Sequence, residues 1–228
     1  MTMIGRRAFV GLGCALPLLA LPGCSTIGDF GGFGIEDGIR RLLTVSSQRA
    51  FAKLLHEEGF FEDELARVEL PTQLGGAGTS AVAAALLRTP AVQDQLLRLV
   101  NRAAAEAAEN AAPVVYDSIR SLTITDALSI IRGGPTAATF YLEQSIGDRI
   151  VDALFPGVGS ALRVLDSGIL RQALSPATGI DFAGLQQDVT RKAARGIWRA
   201  IGREEAAIRA DPSSTDAPLL RGLFGLAR

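Results

Sequence analysis

The stretch TPAVQDQLLRLVNRAAAEAAENAA, residues 89–112, decides the fold of this chain. Thr89 fits a helix N-cap, and Pro90 fits the first helical position because its missing N–H is not needed there. Seven of the ten residues from 103 to 112 are alanine, which is the best helix former and allows neighbouring helices to approach closely. The stretch therefore predicts a long helix whose apolar face carries Val92, Leu96, Leu99, Val100, Ala103 and Ala107.

The same helical period continues on both sides of this stretch and is punctuated by proline and glycine. Thr79 or Ser80 is suited to cap the helix that follows it, and Asp181 to begin the last long helix, near 181–210. Proline breaks a helix, so Pro113 and Pro156 are expected to interrupt or end theirs. Further helices are expected at residues 39–55, 114–122, 125–133, 135–156 and 160–174. We therefore predict one all-α domain of about seven or eight helices in residues 39–228, with at most a short extended strip at residues 67–70.

Residues 1–23 have the pattern of a bacterial lipoprotein signal peptide. Arg6 and Arg7 supply positive charge, and the apolar run behind them is too short to span a bilayer. The run ends in LPGC at residues 21–24, which resembles a lipobox, so Cys24 is expected to carry the lipid. The alternative is an ordinary secretory signal with an incidental cysteine. The paired arginines also resemble a twin-arginine export motif, which leaves the export route open.

Residues 24–38 are rich in glycine, which favours a flexible tether between the membrane and the folded body. Removal of the signal changes the net charge from -1 to -3, because Arg6 and Arg7 leave with it. Cys24 is then the only cysteine, so no disulfide can form within the chain. Ser25 after it, in place of aspartate, resembles lipoproteins sorted to an outer membrane, on the periplasmic side of the envelope.

The composition excludes several classes of function. With 23 basic and 24 acidic residues, the chain lacks the positive excess that binding to a phosphate backbone requires. One histidine and two cysteines cannot build a zinc cage of Cys and His ligands. We therefore expect no nucleic-acid partner, no metal site and no cofactor.

Seven blocks occur in a fixed order along the chain: EGFF at 58–61, VELP at 68–71, LVNRAA at 99–104, SLTITDA at 121–127, GGPTAATFY at 133–141, EEAAIRADP at 204–212 and LLRGLFG at 219–225. Together they resemble consecutive blocks of a bacterial family, domain-of-unknown-function family 4197. The resemblance covers residues 39–226 and implies an exported helical protein with no assigned activity and no catalytic residues to transfer. One departure is Leu142-Glu143-Gln144, where the family tends to have a basic pair.

Two polar residues interrupt the apolar face of the alanine-rich helix, Asn101 and Arg102. We predict that they line a pocket together with Tyr116, Asp126 and Tyr141. An inward Asn needs hydrogen-bond partners, and an inward Arg needs a carboxylate such as Asp126 or Glu106. The alternative, which the pattern favours, is an internal structural ion pair between helices or simple exposure.

Other motifs favour structural interpretations. His56 follows a predicted helix without a nucleophile elbow in the chain, so its placement at a helix C-terminus is the simpler explanation. GGAGTS at residues 75–80 lacks the lysine of a phosphate loop and is expected to be a linker. The carboxylate groups at 57–58, 62–64, 106 and 109, and 204–205 are expected to be solvated helix faces.

Three functions follow from this sequence, in decreasing order of preference. The first is a non-enzymatic envelope protein that is anchored to the membrane through Cys24 and holds a lipid or another apolar small molecule between its helices. The second is a scaffold that docks an envelope protein through an exposed apolar patch. The third is an enzyme built on carboxylates.

Overall fold

The computed structural model describes residues 34–70, 79–125, 127–163 and 180–225. Within these ranges the chain forms eight α-helices, one 3-10 helix and no strand. The helices are α1 (Ile35–Leu54), α2 (Gly59–Glu62), α3 (Ala81–Leu87), α4 (Pro90–Ser121), α5 (Ala127–Arg132), α6 (Ala137–Arg163), α7 (Phe182–Ala210) and α8 (Pro218–Gly225), with the 3-10 helix at Pro212–Ser214. The predicted all-α domain is confirmed. None of the helices in the described ranges is long and apolar enough to cross a membrane.

Three long helices form the centre of the molecule. α4 lies along α6, and α7 packs against α6 and α1. α4 and α6 approach closely at Gly157 and Ala107, since a Cβ on Gly157 would lie 3.0 Å from both Cα and Cβ of Ala107. Most alanines of α4 are buried at this contact and along the rest of the helix. Small residues therefore bring the two backbones together and fill the space between α4 and α6.

The expected interruptions at the two prolines were wrong. α4 continues through Pro113 and α6 continues through Pro156. Both prolines are exposed, so water can reach the backbone carbonyl that each leaves without an N–H donor. Buried residues close to each proline, such as Val115 after Pro113 and Val158 after Pro156, pack each helix against the core where one backbone hydrogen bond is missing. The helix predicted at 160–174 begins inside α6, and residues 164–174 lie outside the described residues.

The helix starts that rest on capping residues were predicted correctly. The Asp181 carboxylate accepts a hydrogen bond from the Gly184 N–H at 3.0 Å, and α7 follows it to Ala210. Ser80 Oγ accepts from the Ala83 N–H at 3.3 Å at the start of α3. α1 begins at Ile35, so it includes the last four residues of the segment assigned to the tether.

Candidate functional site

Asn101 is 2% exposed and uses its side-chain amide to hold the segment 66–70, which is neither helix nor strand. Its Oδ1 accepts from the Val68 N–H at 2.8 Å. Its Nδ2 donates to the Val68 carbonyl at 2.9 Å and to the Leu97 carbonyl at 2.7 Å. The Asn101 side chain thus bonds both the N–H and the carbonyl of Val68, as the backbone of a neighbouring β-strand would do. Asn101 therefore has a structural role, because both amide protons are already bonded, but it forms neither the ion pair nor the exposed position that the alternative offered.

The other residues of the predicted pocket have separate surroundings. Arg102 is exposed and lines a groove of about 390 Å³ beside His56. The Tyr116 ring packs edge-on against Phe51, with ring centroids 5.9 Å apart, and burial raises the pKa of the Tyr116 hydroxyl. The Tyr141 hydroxyl donates to the Thr123 carbonyl at 2.7 Å. Asp126 lies outside the described residues, and the shared pocket stays a prediction.

The groove beside Arg102 brings together the histidine and two of the predicted carboxylate groups. It is lined by Leu55, His56, Glu57, Arg102, Ala105, Glu106 and Glu109. Across the described ranges, no group of three or more His, Cys, Asp or Glu side chains is placed to hold a metal ion. His56 follows the C-cap residue Leu55 of α1, as its sequence position predicted.

Glu205 is fully buried, and the expectation that it belongs to a solvated face was wrong. Its carboxylate accepts from the Ala138 N–H at 3.0 Å, and from the N–H and Oγ1 of Thr139 at 2.7 and 2.6 Å. These N–H groups belong to the first turn of α6, where the backbone N–H groups have no carbonyl acceptor within the helix. Arg209 Nε donates to the same carboxylate at 2.8 Å. Glu205 therefore caps α6 from α7 and is neutralised by its own neighbour one turn away.

Arg209 extends this contact to two further elements. Its guanidinium donates to the carbonyls of Ile130 and Ile131, at 3.1 Å each, at the end of α5. It also lies over the Phe224 ring of α8, 4.9 Å from the ring centroid. We name Glu205 and Arg209 the α7 clamp. The clamp joins four helices, so its charges stabilise the fold and are not open to a ligand.

Two further acidic residues, Glu204 and Asp63, also form ion pairs between α7 and neighbouring segments. Glu204 is buried and its Oε1 lies 2.6 Å from Lys53 Nζ. Asp63 accepts from the Leu65 N–H and from Arg203 Nη1, at 3.0 and 2.8 Å. The hydrogen bond from Arg203 lowers the pKa of Asp63 despite the opposing effect of burial. Both carboxylates therefore fasten neighbouring segments to α7.

A different surface, the α6–α7 groove, combines exposed aromatic and charged side chains. Phe140 is 61% exposed at its rim, while Trp198 is only 5% exposed. The groove has a volume of about 290 Å³, near the lower end of the range of small-molecule sites. It is lined by Thr136, Thr139, Phe140 and Glu143 of the α6 side and by Arg195, Trp198, Arg199 and Gly202 of α7.

The charges of the α6–α7 groove are not neutralised by contacts within it. Arg195 and Arg199 are exposed, and within the described ranges neither forms an ion pair or a hydrogen bond. Glu143 is half-buried, and burial raises the pKa of its carboxyl group. Sequence analysis did not select this groove. The available signal was the i, i+3, i+4, i+7 spacing of 136, 139, 140, 143 and of 195, 198, 199, 202, which places each set on one helix face.

In the residues that the structure describes, the fold and these sites define an all-α protein in which buried polar groups join helices and an aromatic, charged groove lies between α6 and α7. Residues 31–225 match the family model described as protein of unknown function (DUF4197). The chain belongs to that family, as the resemblance of its blocks predicted. No curated protein and no solved structure matches the chain.

Proposed function

We propose that the protein is a non-enzymatic envelope lipoprotein that binds an apolar chain in the α6–α7 groove. The observation that carries this proposal is the exposed ring of Phe140 in the same groove as the nearly buried Trp198. Exposed aromatic area beside a concave surface gains free energy when an apolar ligand covers it. A groove of about 290 Å³ suits one chain of a small amphiphile.

The packing of the core favours this surface groove over a site between α4 and α6. Ala104, Ala107 and Ala108 are fully buried, and Gly157 leaves no space beside Ala107. A ligand between these helices would have to separate closely packed backbones, which costs their dispersion contacts. Binding in the α6–α7 groove requires no such separation, because Phe140 and both arginines are already exposed.

At the α6–α7 groove and at the buried acids, the surroundings of the acidic side chains support a binding role over catalysis. General acid–base chemistry needs two groups with separated pKa values across a cleft. Glu205, Glu204 and Asp63 are each bonded to a cation. The α6–α7 groove contains one carboxyl group, Glu143, without a second acid opposite it.

The alternative function is a helical scaffold for another envelope protein. Val82 of α3, which is 70% exposed, is the observation in its favour. Exposed apolar residues of this kind mark protein interfaces when they form a patch. The scaffold becomes the better explanation if the α6–α7 groove binds no apolar chain.

Loss of Cys24 is expected to release the protein from the membrane. The proposal places the lipid on Cys24 of LPGC, and several acyl chains together give stable anchoring. The Cys24→Ser variant should therefore leave the membrane pellet after ultracentrifugation or accumulate with an uncut signal, whereas Cys14→Ser, within the signal itself, should fractionate as the wild type. Mass spectrometry of the wild-type N-terminus should show acylated Cys24. A mature protein that begins elsewhere without acyl groups would contradict the anchor.

Shortening Phe140 is expected to weaken binding of an uncharged ten-carbon alcohol, decanol. Loss of one aromatic contact of this kind corresponds to roughly a tenfold increase in Kd. Equilibrium dialysis of the Phe140→Ser variant against labelled decanol measures this change. Phe155→Ser is the matched control, because Phe155 is also an exposed phenylalanine of α6 but does not line the groove. Equal losses in both variants, or no binding by the wild type, would refute the proposed function.

A further inference from the structure

We infer that the ligand of the α6–α7 groove is a single-chain amphiphile with an oxyanion head group, which Arg195 and Arg199 bind. The inference rests on the proposed function and adds the chemical class of the ligand. It depends on where these two guanidinium groups lie and on what neutralises them.

Arg195 and Arg199 are one helical turn apart on the face of α7 that lines the groove. Trp198 lies on the same face, so the cations and the indole ring border the same concave surface. Each guanidinium presents a planar set of N–H donors that matches two oxygens of a carboxylate or phosphate. Two such groups at neighbouring positions are suited to one oxyanion.

The described residues provide no partner for either guanidinium. Two arginines further along α7 are paired, Arg203 with Asp63 and Arg209 with Glu205. Arg195 and Arg199 form no ion pair within the described ranges, although Glu143 borders the same groove. With Glu143 ionised, the three charged groups of the groove sum to one positive charge. The groove is therefore complementary to one negative charge, while the chain as a whole has a net charge of -1.

The apolar side of the groove determines that the ligand has a chain. A free inorganic anion would contact the arginines but would leave the Phe140 ring uncovered. A chain attached to the anion covers that ring and places its head group at α7. The combination of exposed phenyl ring and paired cations thus favours an amphiphile over either an uncharged chain or a free anion.

The test compares four probes on the full protein: decanoate, decyl phosphate, decanol and inorganic phosphate, each below its micelle concentration where one exists. A net contribution of a hydrogen bond to a charged group corresponds to about a tenfold change in Kd or more. Decanoate or decyl phosphate should therefore bind the wild type about tenfold more tightly than decanol. Inorganic phosphate should bind too weakly to displace either one.

The double variant Arg195→Gln/Arg199→Gln should remove the preference for the anionic probes, so that decanoate and decyl phosphate bind it no more tightly than decanol does. Both side chains are exposed, so the fold is expected to persist. Arg191→Gln is the matched control, because Arg191 is exposed one turn earlier on α7 and does not line the groove. Its probe affinities should equal those of the wild type.

Several results would overturn the inference and are distinguishable from failure of the proposed function. Equal binding of decanol and decanoate to the wild type would contradict recognition of an anionic head group, while the proposed binding of an apolar chain would stand. Displacement of decanoate by inorganic phosphate at equal concentration indicates a site for free anions. Formation of a dimer that decanoate does not dissociate indicates a second copy of the chain as the occupant. If no ten-carbon probe binds, the inference and the proposed function both fail.

Discussion

Replacement of Glu205 by glutamine is expected to lower the free energy of unfolding by about 3–5 kcal/mol, the range for breaking a buried ion pair. The wild-type carboxylate accepts from two N–H groups and a hydroxyl of α6 and from Arg209. A glutamine side chain replaces one acceptor oxygen with an NH2 group, which cannot accept the hydrogen bonds from α6 and Arg209. The substitution also leaves the Arg209 guanidinium buried without a counter-charge. The loss has no compensation from water, because Glu205 is fully buried.

Urea unfolding followed by circular dichroism measures this loss of stability. Glu109→Gln is the control for the same chemical change, since Glu109 is an exposed helical glutamate of α4, and it should change the free energy of unfolding by less than about 0.5 kcal/mol. Replacing Arg209 as well should cost less than the two single changes added together, because the pair is then removed as a unit. Equal stability of Glu205→Gln and Glu109→Gln would show that the α7 clamp does not hold α6.

The Asn101→Ala variant is expected to be less stable than the wild type by about 2–4 kcal/mol, because it leaves two buried backbone groups without partners. Those groups are the N–H and the carbonyl of Val68, which is fully buried. Segment 66–70 has no other helix or sheet bonding to replace them. The variant should therefore become locally less stable at segment 66–70, in addition to a lower free energy of unfolding of the whole protein.

Hydrogen exchange at the Val68 amide gives a local measurement of this effect. Its protection should fall in Asn101→Ala more than protection in α4 falls. Asn110→Ala is the matched control, as Asn110 is an exposed asparagine on the same helix, and it should leave Val68 protected. Undiminished protection of Val68 in Asn101→Ala would refute the structural role and return Asn101 to the group of candidate ligand contacts.

The elements that sequence reasoning located well are those decided by nearby residues. The start of α4 after Thr89 depends on Pro90 at the first helical position. The start of α7 depends on the Asp181 carboxylate and an N–H three residues later. Alternation of apolar residues at helical spacing then predicted the buried face of each long helix, including Ile197 and Ile201. These features involve contacts within one helical turn.

Whether a helix continues through its proline, and whether an acidic side chain is buried, depends on contacts between helices. Pro113 and Pro156 break helices only where tertiary packing does not compensate, and here both continue on the core. Glu205 follows the apolar stripe by one turn after Ile201, so its inward direction was readable from the sequence. Its partners, Ala138 and Thr139, are more than sixty residues away and were not.

The α6–α7 groove shows the same division between local and tertiary information. Arg195, Trp198 and Arg199 share a face of α7 by spacing alone. That this face meets Phe140 of α6 depends on the antiparallel contact of two helices separated by residues 164–181. The family resemblance implies no function, so the groove follows only from the tertiary contact of α6 and α7.

Fluorescence of Trp198 tests the central claim of an amphiphile in the α6–α7 groove most directly. Trp198 is the only tryptophan of the chain and lines the groove, so its emission reports the site without a label. A decanoate with bromine on its chain quenches tryptophan by contact, and titration should give saturable quenching in the wild type and in Arg191→Gln. Quenching should require much higher concentrations in Arg195→Gln/Arg199→Gln. Absence of quenching, or a linear response without saturation, would contradict the account.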